Sequence, residues 1–233
     1  MSRFESFEVQ LSIGTPVLTS PYPIMLDGLL YYTIAAVHNL DPECEQDKVT
    51  QILDTLLAKH PTGVYHASQA IYLRNETQSI NSIIVSQATF MGWEDYPHPP
   101  HPLKKNIVYK TGRYRNRMTK NNAVTPVGLK FYAHGDYKLC QYYLNQVSGV
   151  GRSHHQGHGE VLGLVLSSIP HDLSLINQDG TLNRPLPVKW AVDQGFDVSD
   201  CLRELRSLNP PYLSNRAVEQ YSPIQQVQMA HII

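Results

Sequence analysis

The chain has 233 residues, 42% of them hydrophobic, and a formal net charge of −1, which allows one large domain, or a small core with elaborations, around a packed interior. No segment approaches the ~18 apolar residues of a membrane span, and the opening Met-Ser-Arg-Phe-Glu lacks the charged-then-apolar layout of a secretion signal, so a cytoplasmic protein without a membrane partner is expected. Near-neutrality conceals one basic run: Lys104, Lys105, Lys110, Arg113, Arg115, Arg117 and Lys120 stand together without an acid, the electrostatic footprint of a polyanion site.

In chain order, Phe7, Val9, Leu11 and Ile13 alternate with Glu8, Gln10 and Ser12, which predicts a half-buried strand closed by Gly14-Thr15-Pro16. Leu26-Asp27-Gly28-Leu29-Leu30 opens a helix to about His38, with Asp27 as its cap rather than a catalytic acid. Asp41-Pro42 places Asp at N-cap and Pro at N1 of a second helix, whose apolar stripe is Val49, Ile52, Leu53, Leu56 and Leu57. Residues 64–74 and 80–90 are strand-like. Pro97 to Pro102 cannot be regular structure and reads as an extended linker, with His98 and His101 exposed in it. The basic run follows directly. A strand at 127–132 leads into a helix at 136–147, and Gly149 is its natural C′ residue. Val161 to Leu166 is a short apolar run, predicted to be a central strand buried on both faces. Beyond residue 168 the chain is loop-rich, with a short helix predicted from Ser199 to Leu208, stopped by Pro210-Pro211. Trp93 and Trp190 read as packing anchors. Cys44, Cys140 and Cys201, odd in number and without a Cys-x-x-Cys, read as buried thiols of a reducing compartment.

The segment from Gly149 to Gly159 carries the chemistry. Its glycines at 149, 151, 157 and 159 free the backbone to turn, Arg152 adds a fixed positive fork, and Ser153, His154, His155 and His158 add hydrogen-bonding groups. Backbone N–H groups in such a loop hold anionic, phosphate-bearing material. No Gly-Lys-Ser/Thr follows, and His154 stands where a dinucleotide fingerprint needs its third glycine. Both of those motifs run strand, loop, helix, whereas the order here is helix, loop, strand. The basic run interleaves Tyr109 and Tyr114 with its cations, the pairing of charge and stacking used for single-stranded nucleic acid.

Stripped of insertions the elements read βαββαβ, an α+β class with a ferredoxin-like (RRM-like) core, an antiparallel sheet and helices on one face. We read residues 1–233 as a single domain: a core at about 7–168, a basic insertion at about 97–122, and a C-terminal extension at 169–233.

Three features together resemble the RAMP superfamily of CRISPR-associated proteins. They are the loop Gly149-Val-Gly-Arg-Ser-His-His-Gln-Gly-His-Gly-Glu-Val161, the Thr15-Pro16 closure of the first strand, and Leu26-Asp-Gly-Leu-Leu30. The last looks like the small RAMP subunit of type IV CRISPR systems, the Csf group, and Arg184-Pro-Leu-Pro187 fits it too. The type I counterpart is the Cas-five family subunit that caps the 5′ handle of the CRISPR RNA. The resemblance implies a non-catalytic RNA-binding subunit (crRNA held by the Gly-rich loop and the basic run, the latter as a thumb-like projection). It implies a repeated backbone subunit and a large subunit as partners, target DNA reached through the guide, and in some subtypes a DinG-like helicase. It implies no cofactor.

Two other readings stay open. A metal-independent endoribonuclease cutting repeat RNA would draw its acid and base from His154, His155, His38 and Tyr32. A protein-interaction module outside CRISPR biology would show no salt-dependent RNA binding. Zinc is not expected at His154, His155 and His158, which lie between glycines with only Glu160 close by.

Overall fold

The computed structural model describes residues 4–18, 22–75, 81–88, 117–212, 217–224 and 226–230, with backbone only for 81–88 and 117–120. Its elements are β1 (Glu5–Ile13), β2 (Val17–Leu18), α1 (Leu26–Val37), α2 (Gln46–Leu56), β3 (Ile71–Arg74), β4 (Asn81–Ala88), β5 (Arg117–Val124), β6 (Gly128–Gly135), α3 (Tyr137–Leu144), β7 (Val161–Ser168), β8 (Leu186–Pro187), α4 (Val188–Asp193), β9 (Cys201–Ser207), β10 (Ala217–Pro223) and β11 (Val227–Met229).

The main sheet has the order β11-β3-β6-β1-β7. β1 is its middle, antiparallel to β6 (Val9↔Phe131) and to β7 (Val9↔Leu166). β3 is antiparallel to β6. Without β11, which adds in parallel beside β3, the arrangement is the ferredoxin-like βαββαβ core, with α2 as an extra helix. The alternation of β1 aims Phe7, Val9 and Leu11 into one core with Leu129, Phe131 and Ala133. On that face α1 buries Leu26, Leu30, Tyr31, Ile34 and Ala35, α2 buries Val49, Leu53 and Leu56, and α3 buries Cys140, Tyr143 and Leu144. Each large apolar side chain buried this way contributes roughly 1.5–3 kcal/mol. α3 starts where Asp136 accepts a hydrogen bond from Leu139 N at 3.0 Å. Asp136→Ala is therefore expected to destabilise the chain by about 1 kcal/mol in urea unfolding, through loss of that cap.

Several local expectations are corrected. β7 is the edge of the sheet, not its centre, and Leu162 and Val165 are 67% and 58% exposed; an apolar run has no period that tells one covered face from two. The predicted helix at Ser199–Leu208 is strand β9. Its leucines at 202, 205 and 208 have helical spacing, but seven residue pairs with β10, from Cys201↔Pro223 to Ser207↔Ala217, override that local preference. α2 begins at Gln46, because the Asp41 carboxylate accepts from Glu43 N and Cys44 N and closes a turn instead of capping a helix. Those bonds hold the Asp41 carboxyl below its ordinary value. Cys44 sits in that turn and is exposed, and Cys201 is partly exposed; of the three only Cys140 is buried, and burial pushes its thiol up. α3 ends at Leu144, five residues short of Gly149, which instead bridges to Glu160.

The C-terminal part builds a second apolar cluster of Val64, Leu175, Leu182 and Leu186 beside the sheet β8-β10-β9. Trp190 packs there, 4.6 Å from His60 and 5.0 Å from Phe196 between ring centroids. His66 Nδ1 and the Asp172 carboxylate, 2.6 Å apart, tie this region to the core. Burial pushes the Asp172 carboxyl up, but hydrogen bonds with His66 and Ser174 outweigh it and hold it below its ordinary value. No helix among the described residues is long and apolar enough to cross a membrane.

Candidate nucleic-acid interface

The Gly-rich loop is a narrow neck carrying an exposed lobe. At the neck Val150 N donates to Gly159 O at 2.8 Å, and Val161 N to Ser148 O at 3.0 Å. Gly159 has φ +63°, and a Cβ there would lie 2.1 Å from Val150 O, so only glycine fits. Gly151, at φ +80°, would meet Val17 Cγ1 at 2.8 Å. The lobe turns through Ser153, itself left-handed at φ 57°, into one 3-10 turn at His154–Gln156 and out through Gly157. Arg152, His154 and His155 are exposed on it. His154 Nδ1 lies 3.3 Å from Gly151 O, and its ring meets His155 edge-on.

Thr15 and Pro16 grip the neck from outside. Gly159 N donates to Pro16 O at 3.0 Å, Glu160 N to Thr15 Oγ1 at 2.9 Å, and Gly14 N to Glu160 O at 2.9 Å. β2 follows at once, with Leu18 bridged to Arg152. On its other side β2 pairs with β5 (Val17↔Val124), and β5 pairs with β4 from Asn81↔Val124 to Ala88↔Arg117. The hairpin flanking the basic run and the Gly-rich loop are thus joined through the same short strand. Arg117 and Lys120 belong to β5, opposite Ala88 and Val85. Lys104, Lys105, Tyr109, Lys110, Arg113, Tyr114 and Arg115 lie outside the described residues, as do Trp93, His98 and His101.

Between α1 and the loop runs a groove of about 550 Å³. One wall is Gly28, Leu29, Tyr32, Thr33, Ala36 and Val37; the other is residues 146–149 with Gly151 and His154; Pro23, Met25 and Tyr212 close its end. Tyr32 is 51% exposed. Burial first, then the Glu43 carboxylate, pushes its hydroxyl up, so it stays a neutral donor. Of the four acid–base candidates, Tyr32 and His154 share this groove, His155 stands on the lobe, and His38 Nε2 is taken up by Tyr143 OH at 2.9 Å.

The residues of Leu26-Asp-Gly-Leu-Leu30 each have a task here. Leu26 and Leu30 enter the core and Leu29 lines the groove. Gly28 lets the Tyr212 ring lie on α1, where a Cβ would be 3.1 Å from Tyr212 Cε2. Asp27 is not the N-cap, which is Met25. It is wholly buried and holds Arg184, with Nη2 to Oδ2 at 3.3 Å, while Gly28 N donates to Oδ1 at 2.9 Å and Tyr212 OH donates to the same oxygen. Arg184 also donates to Tyr65 O, to Ala67 O at 3.0 Å and to Leu208 O at 2.8 Å. Burial, then the Asp27 charge, pushes the Tyr212 hydroxyl well up. This knot fixes the groove's closed end. In the sequence Arg184 stands out only as the first residue of Arg184-Pro-Leu-Pro187, a stretch that fits the family resemblance but does not reveal its partner Asp27.

Among the described residues no group of three or more His, Cys, Asp or Glu could hold a metal ion. A family model described as CRISPR type IV associated protein Csf3 matches residues 5–221. A chain of the solved structure titled "Cryo-EM structure of the Type III-B Cmr-beta bound to cognate target RNA" is similar over 71% of this chain and 61% of its own length, at 11% identity and a TM-score of 0.42. This chain thus spans less than two thirds of that one. No curated protein matches.

Proposed function

The chain belongs to the CRISPR type IV associated protein Csf3 family, whose setting is a CRISPR complex, and from that premise we propose that it is the non-catalytic RNA-binding subunit of a type IV effector ribonucleoprotein. It holds the 5′ handle of the crRNA and caps the backbone filament for guide-directed interference. The observation that supports this reading best is the groove between α1 and the Gly-rich lobe. A single RNA strand needs a channel for its backbone, cations for its phosphates and a flat ring for its bases. The groove offers the channel, Arg152 stands exposed next to its rim, and Tyr32 offers a ring within it. The basic run, rooted through β5 on the same β2, adds charge and Tyr109 and Tyr114. The backbone and large subunits, target DNA through base pairing, and a DinG-like helicase are the further partners of this reading.

Arg152→Ala combined with Arg113→Ala, Arg115→Ala and Arg117→Ala tests it in the assembled complex. Guide RNA retention is expected to fall, and the slope of log affinity against log salt to flatten by about 0.7 per lost phosphate contact. Full assembly with normal guide RNA would refute the assignment. Because Tyr32 and His154 share the groove, a metal-independent endoribonuclease acting on repeat RNA is the second reading. The same preparation incubated with labelled repeat RNA in EDTA separates the two: the binding subunit leaves the RNA intact, and a site-specific cut favours the nuclease.

A further inference from the structure

The Gly-rich neck is closed by its own bonds, Val150 N to Gly159 O and Val161 N to Ser148 O. These shape the lobe but do not fix where it points. Its direction is set by the segment that leaves β1. Gly14 N donates to Glu160 O at 2.9 Å, Gly159 N donates to Pro16 O at 3.0 Å, and Leu18 is bridged to Arg152. All three are main-chain contacts, open to almost any side chain. The bond from Glu160 N to Thr15 Oγ1, at 2.9 Å, is of another kind, because it needs a hydroxyl at position 15. Pro16 favours an extended Thr15 and has no N–H to compete for that oxygen.

Arg152 stands on this template. Gly151 before it lies so close that a Cβ would be 2.8 Å from Val17 Cγ1 and 3.3 Å from Leu18 O. Val17 and Leu18 are 0% and 4% exposed, so the root of Arg152 rests on close-packed core. Its side chain is the opposite case: it is exposed and, among the described residues, has no hydrogen bond or ion pair. A fixed root under an uncommitted guanidinium is prepared for an anion from outside, since part of the ordering cost is met before binding. A single bridge to Leu18 has little to specify its register, and the Thr15 hydroxyl supplies a fixed point beside it. We propose that Thr15 is a positioning residue of the RNA site: by holding Glu160 N it keeps the lobe in the register that seats Arg152 on Leu18 and aims the guanidinium at one phosphate of the strand in the groove. The assignment rests on the RNA-binding reading above.

The test uses the full chain and a short single-stranded RNA taken from the guide's repeat-derived end, with affinity read by fluorescence anisotropy across a salt series. Thr15→Val keeps the side-chain shape and removes the acceptor. It is expected to weaken binding about two- to tenfold, the worth of one hydrogen bond. It should also flatten the slope of log affinity against log salt, toward the roughly 0.7 lost when Arg152→Ala removes one phosphate contact. Thr15→Ser, which keeps the acceptor oxygen, is expected to restore both readouts. In an Arg152→Ala background Thr15→Val should cost nothing further, because the group it positions is gone. If Thr15→Val does not fold, Thr15→Ala takes its place in the same cycle. Unchanged affinity and slope in the folded Thr15 variant, or costs that add in the double variant, overturn the positioning role and leave the RNA reading standing. Absence of RNA binding by the parent chain, or an Arg152→Ala variant that moves neither affinity nor slope, overturns both.

Discussion

Replacing Arg184 with methionine is expected to destabilise the chain by about 3–5 kcal/mol, the cost of leaving one partner of a buried ion pair alone. The guanidinium is 1% exposed and the Asp27 carboxylate 0%, so neither charge is screened by water. Loss of Arg184 would leave the Asp27 charge with Gly28 N and the Tyr212 hydroxyl only, and strip a donor from Tyr65 O, Ala67 O and Leu208 O. Urea unfolding of the full chain measures this as a lower midpoint. Asp27→Leu in the same chain should return part of the loss, because an apolar pair in place of both charges removes the buried uncompensated carboxylate. A single variant within about 0.5 kcal/mol of the parent, the range of ordinary surface substitutions, would show that the knot contributes little.

Gly159→Ala is expected to cost at least about 1–3 kcal/mol from its left-handed backbone alone, and to deform the lobe as well. The added Cβ would be 2.1 Å from Val150 O, a main-chain atom that cannot step aside. The neck would have to open, losing Val150 N to Gly159 O at 2.8 Å and Gly159 N to Pro16 O at 3.0 Å. RNA affinity is therefore expected to drop at least as far as with Arg152→Ala, while the core beneath α1 and α3 keeps its fold. Gly157→Ala is the control. It has φ +86° but nothing within 4 Å of the new Cβ, so it bears the backbone strain without the collision. Equal RNA affinities for the two variants would contradict a role for the neck in shaping the groove.

The sequence made the core legible where periodicity and pairing agree. The alternation of Phe7, Val9, Leu11 and Ile13 is one buried face of β1, and the order helix, Gly-rich loop, strand is the order of α3, the lobe and β7. It misled where one local signal served two outcomes. Val161–Leu166 is apolar whether it is covered on one face or two, and Leu202, Leu205 and Leu208 are spaced for a helix that β10 does not permit. The knot was hidden for another reason: Asp27 and Arg184 stand 157 residues apart, and no window of local composition joins them. Thr15 and the loop are likewise separated by 145 residues, yet Thr15 Oγ1 holds Glu160 N. The loop's own conformation was readable from its glycines, whereas the wall facing it across the groove required the fold.

The parallel strand β11 has a consequence for synthesis. Val227, Gln228 and Met229 pair with Tyr72, Leu73 and Arg74, while the bonds from Tyr72 N to Gln226 O and from Ala230 N to Arg74 O fasten the two ends. A ribosome making about 5–20 residues per second needs on the order of 8–30 s to travel from one strand to the other. Throughout that interval the outer edge of β3 has no neighbour, the condition under which a strand recruits the wrong partner. β3 is only four residues long and ends in the exposed Arg74, so the nascent chain presents a short, charged edge until its own last strand arrives to cover it.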